Sequence, residues 1–293
     1  MIRVVSWGMT SDRPAYQPYL DGKPAPFRWR LGLRPLDLAD WLQVTEHYDH
    51  EVALKHRYSD EFPDTTLRFL DGVEAEAQEV LDAIVDRLRA HDPERFGHLT
   101  DDPGGRHPLD AAGRLVQEDL VLLVERDDGL VCGGGSVCFP NRWDLNSKVG
   151  QTMAEVHAPV AQLNEQLESP IDKFMDRLEP DRSFWRLGYS LIETDELYQA
   201  TDGTAAPERS DVPPEHWWLR VERETLRRFP ATRCILFTIH SYLTRLSDLA
   251  GTDDGAQLAT AIEAMPDDVL DYKSIRPIIP QAVAYLRRQP ATA

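Results

Sequence analysis

Apolar positions recur along this chain in two rhythms. In GVEAEAQEVLDAIVDRLRAHD, residues 72–92, Val73, Ala77, Val80, Leu81, Ile84 and Leu88 fall three, four and seven apart, which is the repeat of one helical face. LDLADWLQVTEHYDHEVALKHRY, residues 36–58, also reads as helix, with Asp37 or Asp40 as N-cap and first-turn acid. The middle of the chain changes rhythm. DLVLLVERDDGLVCGGGSVCF, residues 119–139, holds two β-rich apolar runs around the turn signal Asp127-Asp128-Gly129, which predicts a hairpin. Three glycines, 133–135, interrupt its second run and point to a bulge or to close approach of another backbone or a flat ligand. SKVGQTMAEV, residues 147–156, predicts a short helix that Pro159 must end, and ESPIDKFMDRLE predicts another helix beginning near Pro170. Three further strands follow: SFWRLGYSLIET, WWLRVERETLRRF and TRCILFTIHSYLTRL. DDGAQLATAIEAM and IIPQAVAYLRR close the chain as helices.

This order predicts an α+β protein. Its centre is an antiparallel sheet of about five strands with inserted and flanking helices, in the strand–strand–helices–three-strand order of a PAS-like domain. Residues 1–35, rich in Pro, Trp, Tyr and Arg, read as an extended N-terminal arm, and residues 36–290 as a single domain. The polar stretch ATDGTAAPERSDVPPE, residues 200–215, reads as a surface loop.

Charge narrows the partners. Lys and Arg number 32 against 50 Asp and Glu, a formal charge of −18, which speaks against nucleic acid and against an anionic membrane surface. No stretch has the length of a membrane span or the apolar core of a signal peptide. The three cysteines, Cys132, Cys138 and Cys234, have no CxxC spacing and make neither a disulfide framework nor a cysteine zinc site. Together these features predict a soluble, cytoplasmic protein.

Few side chains carry candidate chemistry. His157 stands at the end of a predicted helix. It either caps that end, its cation meeting the helix dipole, or offers a neutral imidazole to iron, with Gly134 and Gly135 leaving room for a macrocycle. Cys138 is the rival ligand, or else a small buried hydrophobe. In a strand, Arg220, Glu222 and Glu224 alternate onto one face, with Val221, Arg223 and Thr225 on the other. The charged face is either solvated or holds a carboxylate that binds an ammonium group. His240, on an apolar strand, is either a bonded core histidine or a group donating to bound dioxygen. Lys148 and Arg182 are candidate partners for propionate groups. No nucleotide fingerprint, Walker loop, HExxH or GxSxG element is present, so redox chemistry here would draw electrons from another protein.

The motifs RLGLRPLDLADWL, VCFPNRWDLNSKVG, HAPV, SFWRLGY, LRVERETLRRFP and ILFTIHSYL occur in this order over about residues 28–285. Together they resemble the haem-dependent oxidative N-demethylase family, typified by the haem subunit of dimethylamine monooxygenase. The resemblance implies a PAS-type fold that binds haem b and hydroxylates a methyl C–H beside nitrogen. The resulting carbinolamine breaks down to formaldehyde and the demethylated amine. It also implies partner subunits that pass electrons from NADPH through FMN and an iron–sulfur centre, and it leaves room for a homo-oligomer. His157 becomes the implied axial ligand and the Arg220-Val221-Glu222-Arg223 strand the polar wall of the pocket, where Glu222 or Glu224 would hold the ammonium of a small amine and Arg220 or Arg223 would position that carboxylate or bound dioxygen. Glu224 stands where the family's strand commonly has glutamine, and His240 where an arginine usually precedes the Thr/Ser-Tyr pair. The substitutions add a carboxylate and remove a cation, implying a preference for a cationic or larger amine. The competing expectation is a PAS-like haem or small-ligand sensor without turnover.

Overall fold

A computed structural model of the protein describes residues 29–127, 129–160, 163–180, 182–200 and 212–288. Within them lies one antiparallel sheet of seven strands. These are β1 (Arg34–Leu36), β2 (Leu67–Phe69), β3 (Asp119–Arg126), β4 (Gly129–Ser136), β5 (Ser183–Ile192), β6 (Trp218–Arg228) and β7 (Ile235–Arg245), laid side by side as β1-β5-β6-β7-β3-β4-β2. All five long strands predicted from pattern are present. The expected sheet of about five strands is widened by two three-residue strands, one pairing β5 and the other β4. Most of the N-terminal arm lies outside the described residues, and its last residues, Arg34 and Pro35, join the edge strand β1.

Partners in register share a sheet face. On one face Leu120, Leu122 and Leu236 meet the stripe Val73, Ala77, Val80, Leu81, Ile84 and Leu88 of the helix Glu74–His91, all of them buried. Next to that layer, Tyr189, Leu191, Leu219 and Val221 take the helices Asp253–Glu263, Asp267–Tyr272 and Ile279–Leu286. The opposite face, with Val121, Leu123, Leu226 and Ile235, meets Leu145, Met153, Phe174 and Leu178 from the segment between β4 and β5. Helices therefore cover both faces, and the apolar strand interiors follow from that.

Several local expectations shift. The helix placed over residues 36–58 begins at Tyr48 and runs to Glu61, preceded by a 3-10 turn, Leu38–Asp40, capped by Asp37 through the Ala39 amide at 2.8 Å. The segment 147–156 divides into a 3-10 turn, Leu145–Ser147, and a helix, Met153–His157. The helix expected to begin near Pro170 runs from Leu163 to Arg177 with Pro170 inside it. Three buried residues, Leu163, Leu167 and Ile171, pack against Trp29 and Leu31 and hold the helix across the proline.

Candidate functional site

The register of β6 divides the predicted residues between two faces. Glu224 lies opposite Arg186 of β5 and Ile239 of β7, and Glu222 opposite Gly188 and Ser241. Arg220, Glu222 and Glu224 thus share the face covered by the segment Leu145–Arg177. Arg223 lies directly opposite His240, and both point to the other face.

Arg220 is fully buried, and both of its terminal nitrogens are engaged. It donates to the carbonyls of Leu197, at 3.0 Å, and Phe139, and to Ser241 Oγ at 2.8 Å, while its Nε stands 3.2 Å from Glu222 Oε1. Asp119 faces it from β3, accepting the amides of Cys138 and Phe139 at 2.8 and 2.9 Å and pairing with the buried Lys55 at 3.7 Å. Glu222 keeps about a fifth of its side chain open. Loss of water raises its carboxyl above the usual range, Arg220 opposes this, and Glu224 reinforces it. Asn141 also bonds this carboxyl and donates to Ser190 Oγ at 2.8 Å. Glu224 receives the Arg186 guanidinium in close contact, and a third of the Arg186 side chain is exposed.

His157 is the last residue of the helix Met153–His157. A capping box fixes that helix at its start. Thr152 Oγ1 accepts from the Glu155 amide, and Glu155 accepts from the Thr152 amide at 2.8 Å. Lys148 fixes the other end, donating to the Val156 carbonyl at 3.0 Å, so this candidate propionate partner already holds the histidine's helix. Burial and the charge of Arg186 hold the imidazole below the usual histidine range, which keeps it neutral at pH 7. The Met153 carbonyl, one turn back, favours protonation, and Glu224 stands close enough to do the same. His157 Nδ1 is buried and closes no hydrogen bond of ordinary length. Trp143, Phe184 and Phe237, on the apolar cluster of this face, and Ile239, in register with Glu224, are only partly buried. A neutral imidazole beside a half-open apolar and charged sheet face suits a haem held by one axial ligand. Among the described residues no group of three or more His, Cys, Asp or Glu side chains could hold a bare metal ion, and a tetrapyrrole supplies four ligands of its own.

Six candidates stand elsewhere. Gly134 is approached by Arg68 O and Phe69, and Gly135 by Leu145 and Leu120 O, where an added Cβ would lie only 2.8 Å from the nearest atom in each case. The glycines therefore admit the backbone of β2 and a leucine rather than a macrocycle, and a register shift between Leu122 and Leu123 confirms the bulge. Arg182 is exposed at the entry to β5, and Arg186, four residues further along, is the arginine that reaches Glu224. Arg223 donates to the carbonyls of Trp41, at 3.1 Å, and Asp40, at 2.6 Å. His240 Nδ1 stands 3.3 Å from the fully buried Glu118, whose carboxyl burial would raise but His240 and the Gln43 amide bring below its usual range. His240 thus has the bonded-core environment, away from His157. Cys138 is buried among Phe139, Leu197 and Tyr58 with its thiol pushed up to about 11 by burial, so it is a small hydrophobe here.

Sequence reasoning missed Arg186, Asn141 and Asp119. The signal for Arg186 was its charge on the predicted strand that precedes the Glu222–Glu224 strand, but only the register places it opposite Glu224.

The architecture and the site define an α+β protein with helices on both faces of an open antiparallel sheet and, on one face, a histidine near the paired charges of Arg186 and Glu224. A family model described as haem-dependent oxidative N-demethylase, alpha subunit-like, matches residues 32–283, and the chain belongs to that family. The family's name carries haem dependence, oxidative demethylation and membership of a multi-subunit assembly. Among the described residues no helix is long and apolar enough to cross a membrane.

Proposed function

We propose that this chain is the haem b-binding oxygenase subunit of an amine N-demethylase, with His157 as axial ligand. The observation that supports this reading is the neutral His157 ring at the end of its helix, beside the paired charges of Arg186 and Glu224. Bound haem would supply activation of dioxygen, one oxygen atom entering a methyl C–H bond while two electrons and two protons reduce the other to water. Glu222 and Glu224 hold the ammonium of a secondary or tertiary amine and set its methyl group toward the His157 side of the cleft. Arg220 positions Glu222 from behind, anchored on two carbonyls and a serine. Arg223 and His240 act as positioning groups that tie β6 and β7 to residues 40, 41 and 118 on the opposite face. The hydroxylated N–CH2–OH carbon then leaves as formaldehyde and returns the proton-bearing amine.

Electrons are drawn from partner subunits carrying NADPH, FMN and an iron–sulfur centre, which agrees with the absence of those motifs from this chain. The three free thiols fit a reducing cytoplasm. The central strands β3–β7, a hairpin followed by three strands, form a PAS-like core, with residues 36–290 as one domain.

The test is an absorption spectrum of the folded, haem-supplied protein and of its His157→Ala variant, with formaldehyde release from N-methyl amines scored in parallel. A Soret band present in the wild type and lost or shifted in the variant is expected. A band unchanged by the substitution removes His157 as ligand, and a folded wild type with no band removes the haem reading altogether.

A further inference from the structure

Among the described residues, β1 pairs only Ser183, Phe184 and Trp185 of β5, so no strand lies against the outer edge of β5 beyond them. The turn that ends the helix Asp267–Tyr272 meets this edge instead. Lys273 Nζ donates to the Tyr189 carbonyl at 2.9 Å and lies 5.6 Å from the centre of the Tyr189 ring. The preceding residue of β5, Gly188, stands opposite Glu222. A Cβ added to Gly188 would meet Glu224 Oε1, at 3.3 Å, and no other described group within 4 Å. Gly188 lies inside a strand, so its missing side chain serves space over the two carboxylates rather than a turn.

The turn itself is tightly held. Val269, Leu270 and Ile275 are buried with Tyr189, Leu219 and Val221. The Ser274 amide donates to Asp271 O at 2.9 Å and the Ile275 amide to Leu270 O at 3.0 Å, the two bonds that close a helix on a left-handed residue. Glycine is usual there, and Ser274 takes the position at φ 52°. Strain of this kind persists where the surrounding contacts over-determine the backbone. Tyr272 turns away from the buried side of its helix and keeps 46% of its surface open. Its hydroxyl is close enough to feel Glu222, Glu224 and Arg186, and loss of water and the two carboxylates raise it above the ordinary tyrosine range, so the ring stays uncharged. An open, neutral aromatic face beside carboxylates suits an alkylated ammonium, whose N–H bonds go to a carboxylate and whose methyl groups go to the ring.

We infer that Tyr272 is a specificity-determining residue of the amine cleft, its ring receiving the N-methyl groups of an ammonium held by Glu222 or Glu224, so that the more highly methylated amines are preferred. Lys273 is a positioning residue that pins the turn to β5. This rests on the amine-oxidising reading above and deepens it. Carboxylates alone would order the amines the other way, because each added methyl removes an N–H donor.

The experiment is calorimetric titration of the haem-loaded protein with methylamine, dimethylamine and trimethylamine, for wild type, Tyr272→Ala and Tyr272→Phe. In wild type each added methyl should tighten binding about threefold, somewhat less than full burial of one CH2 group gives. Tyr272→Phe should keep that order. Tyr272→Ala should flatten or reverse it and leave methylamine nearly unchanged. An order that survives in Tyr272→Ala overturns the inference and leaves the amine reading standing, as does a wild type that binds methylamine as well as trimethylamine. Loss of the order in Tyr272→Phe assigns the selectivity to the hydroxyl and overturns the role of the ring. A folded wild type that binds none of the three removes the amine reading, and this inference with it.

Discussion

Arg220 and Arg186 show how differently the same side chain is held within one face. Arg220 has no exposed surface and donates to Leu197 O, Phe139 O and Ser241 Oγ beside Glu222 and Asp119. Removing it takes the nearest cation from the buried side of Glu222 and leaves two interior carbonyls without their donor, and the loss of one partner of a buried pair is costly. Arg220→Met, which keeps much of the volume, should therefore lower stability by about 3–5 kcal/mol, read as a shift of the urea midpoint at unchanged slope. Arg186→Gln, at a part-exposed pair, should lose about 1 kcal/mol or less. A loss at Arg220 no larger than that at Arg186 would show the buried network to be dispensable. Individual side chains such as these were only partly legible beforehand. Alternation put Arg220, Glu222 and Glu224 on one face and Arg223 on the other, because period two is a property of any strand. It could not say which face carries His157, since that depends on how a segment far along the chain folds over the sheet.

At the scale of elements, long periodic segments were read well and short ones were not. The helix Glu74–His91 and the strands β3–β7 bury the residues their pattern marked, since a stripe or alternation sustained over eight or more positions leaves few alternatives. The strands Arg34–Leu36 and Leu67–Phe69 carry three residues each, too few to show alternation, and exist because β5 and β4 offer them unpaired edges. The helix Asp267–Tyr272 was missed for the same reason of length. The helix Leu163–Arg177 was truncated because Pro170 reads as a start, whereas packing of Leu163, Leu167 and Ile171 outweighs the one lost hydrogen bond. The five-residue helix Met153–His157 is the element on which the proposed ligand depends, and propensity alone would not sustain it. Its stability comes from the Thr152–Glu155 box, the Lys148 contact and an isolated bridge between Thr152 and Val131. Thr152→Ala should cost about 1 kcal/mol globally yet loosen haem by a larger factor, because the lost cap sits one turn from His157. Haem dissociation rates set against thermal midpoints test this, and a variant that loses stability but holds haem as tightly as wild type would separate the box from the site.

For the molecule as a whole, the excess of 50 acidic over 32 basic side chains is a force acting against compaction. Many of the basic groups are committed to partners. Arg114 pairs with Asp60 and Asp110 at 2.7 Å each, Arg142 with Glu193 at 2.6 Å, and Arg220, Arg223 and Arg228 are buried on carbonyls. The surplus carboxylates therefore remain on the outside, facing one another across solvent. Salt has two opposing effects here: it weakens exposed pairs such as Arg276–Asp267, each worth about 0–1 kcal/mol, and it screens repulsion among all the unmatched carboxylates at once. The screening length falls from about 30 Å at 0.01 M to about 8 Å at 0.15 M, which removes the long-range repulsion while leaving buried pairs nearly untouched. Repulsion should win, and the thermal midpoint should rise by roughly 2–4 °C over that range, on the order of 1 kcal/mol for a chain of this size. Differential scanning calorimetry at the two salt concentrations reads this directly. A midpoint that stays level or falls would mean that exposed ion pairs, rather than the acidic surplus, set the electrostatic balance of the folded protein.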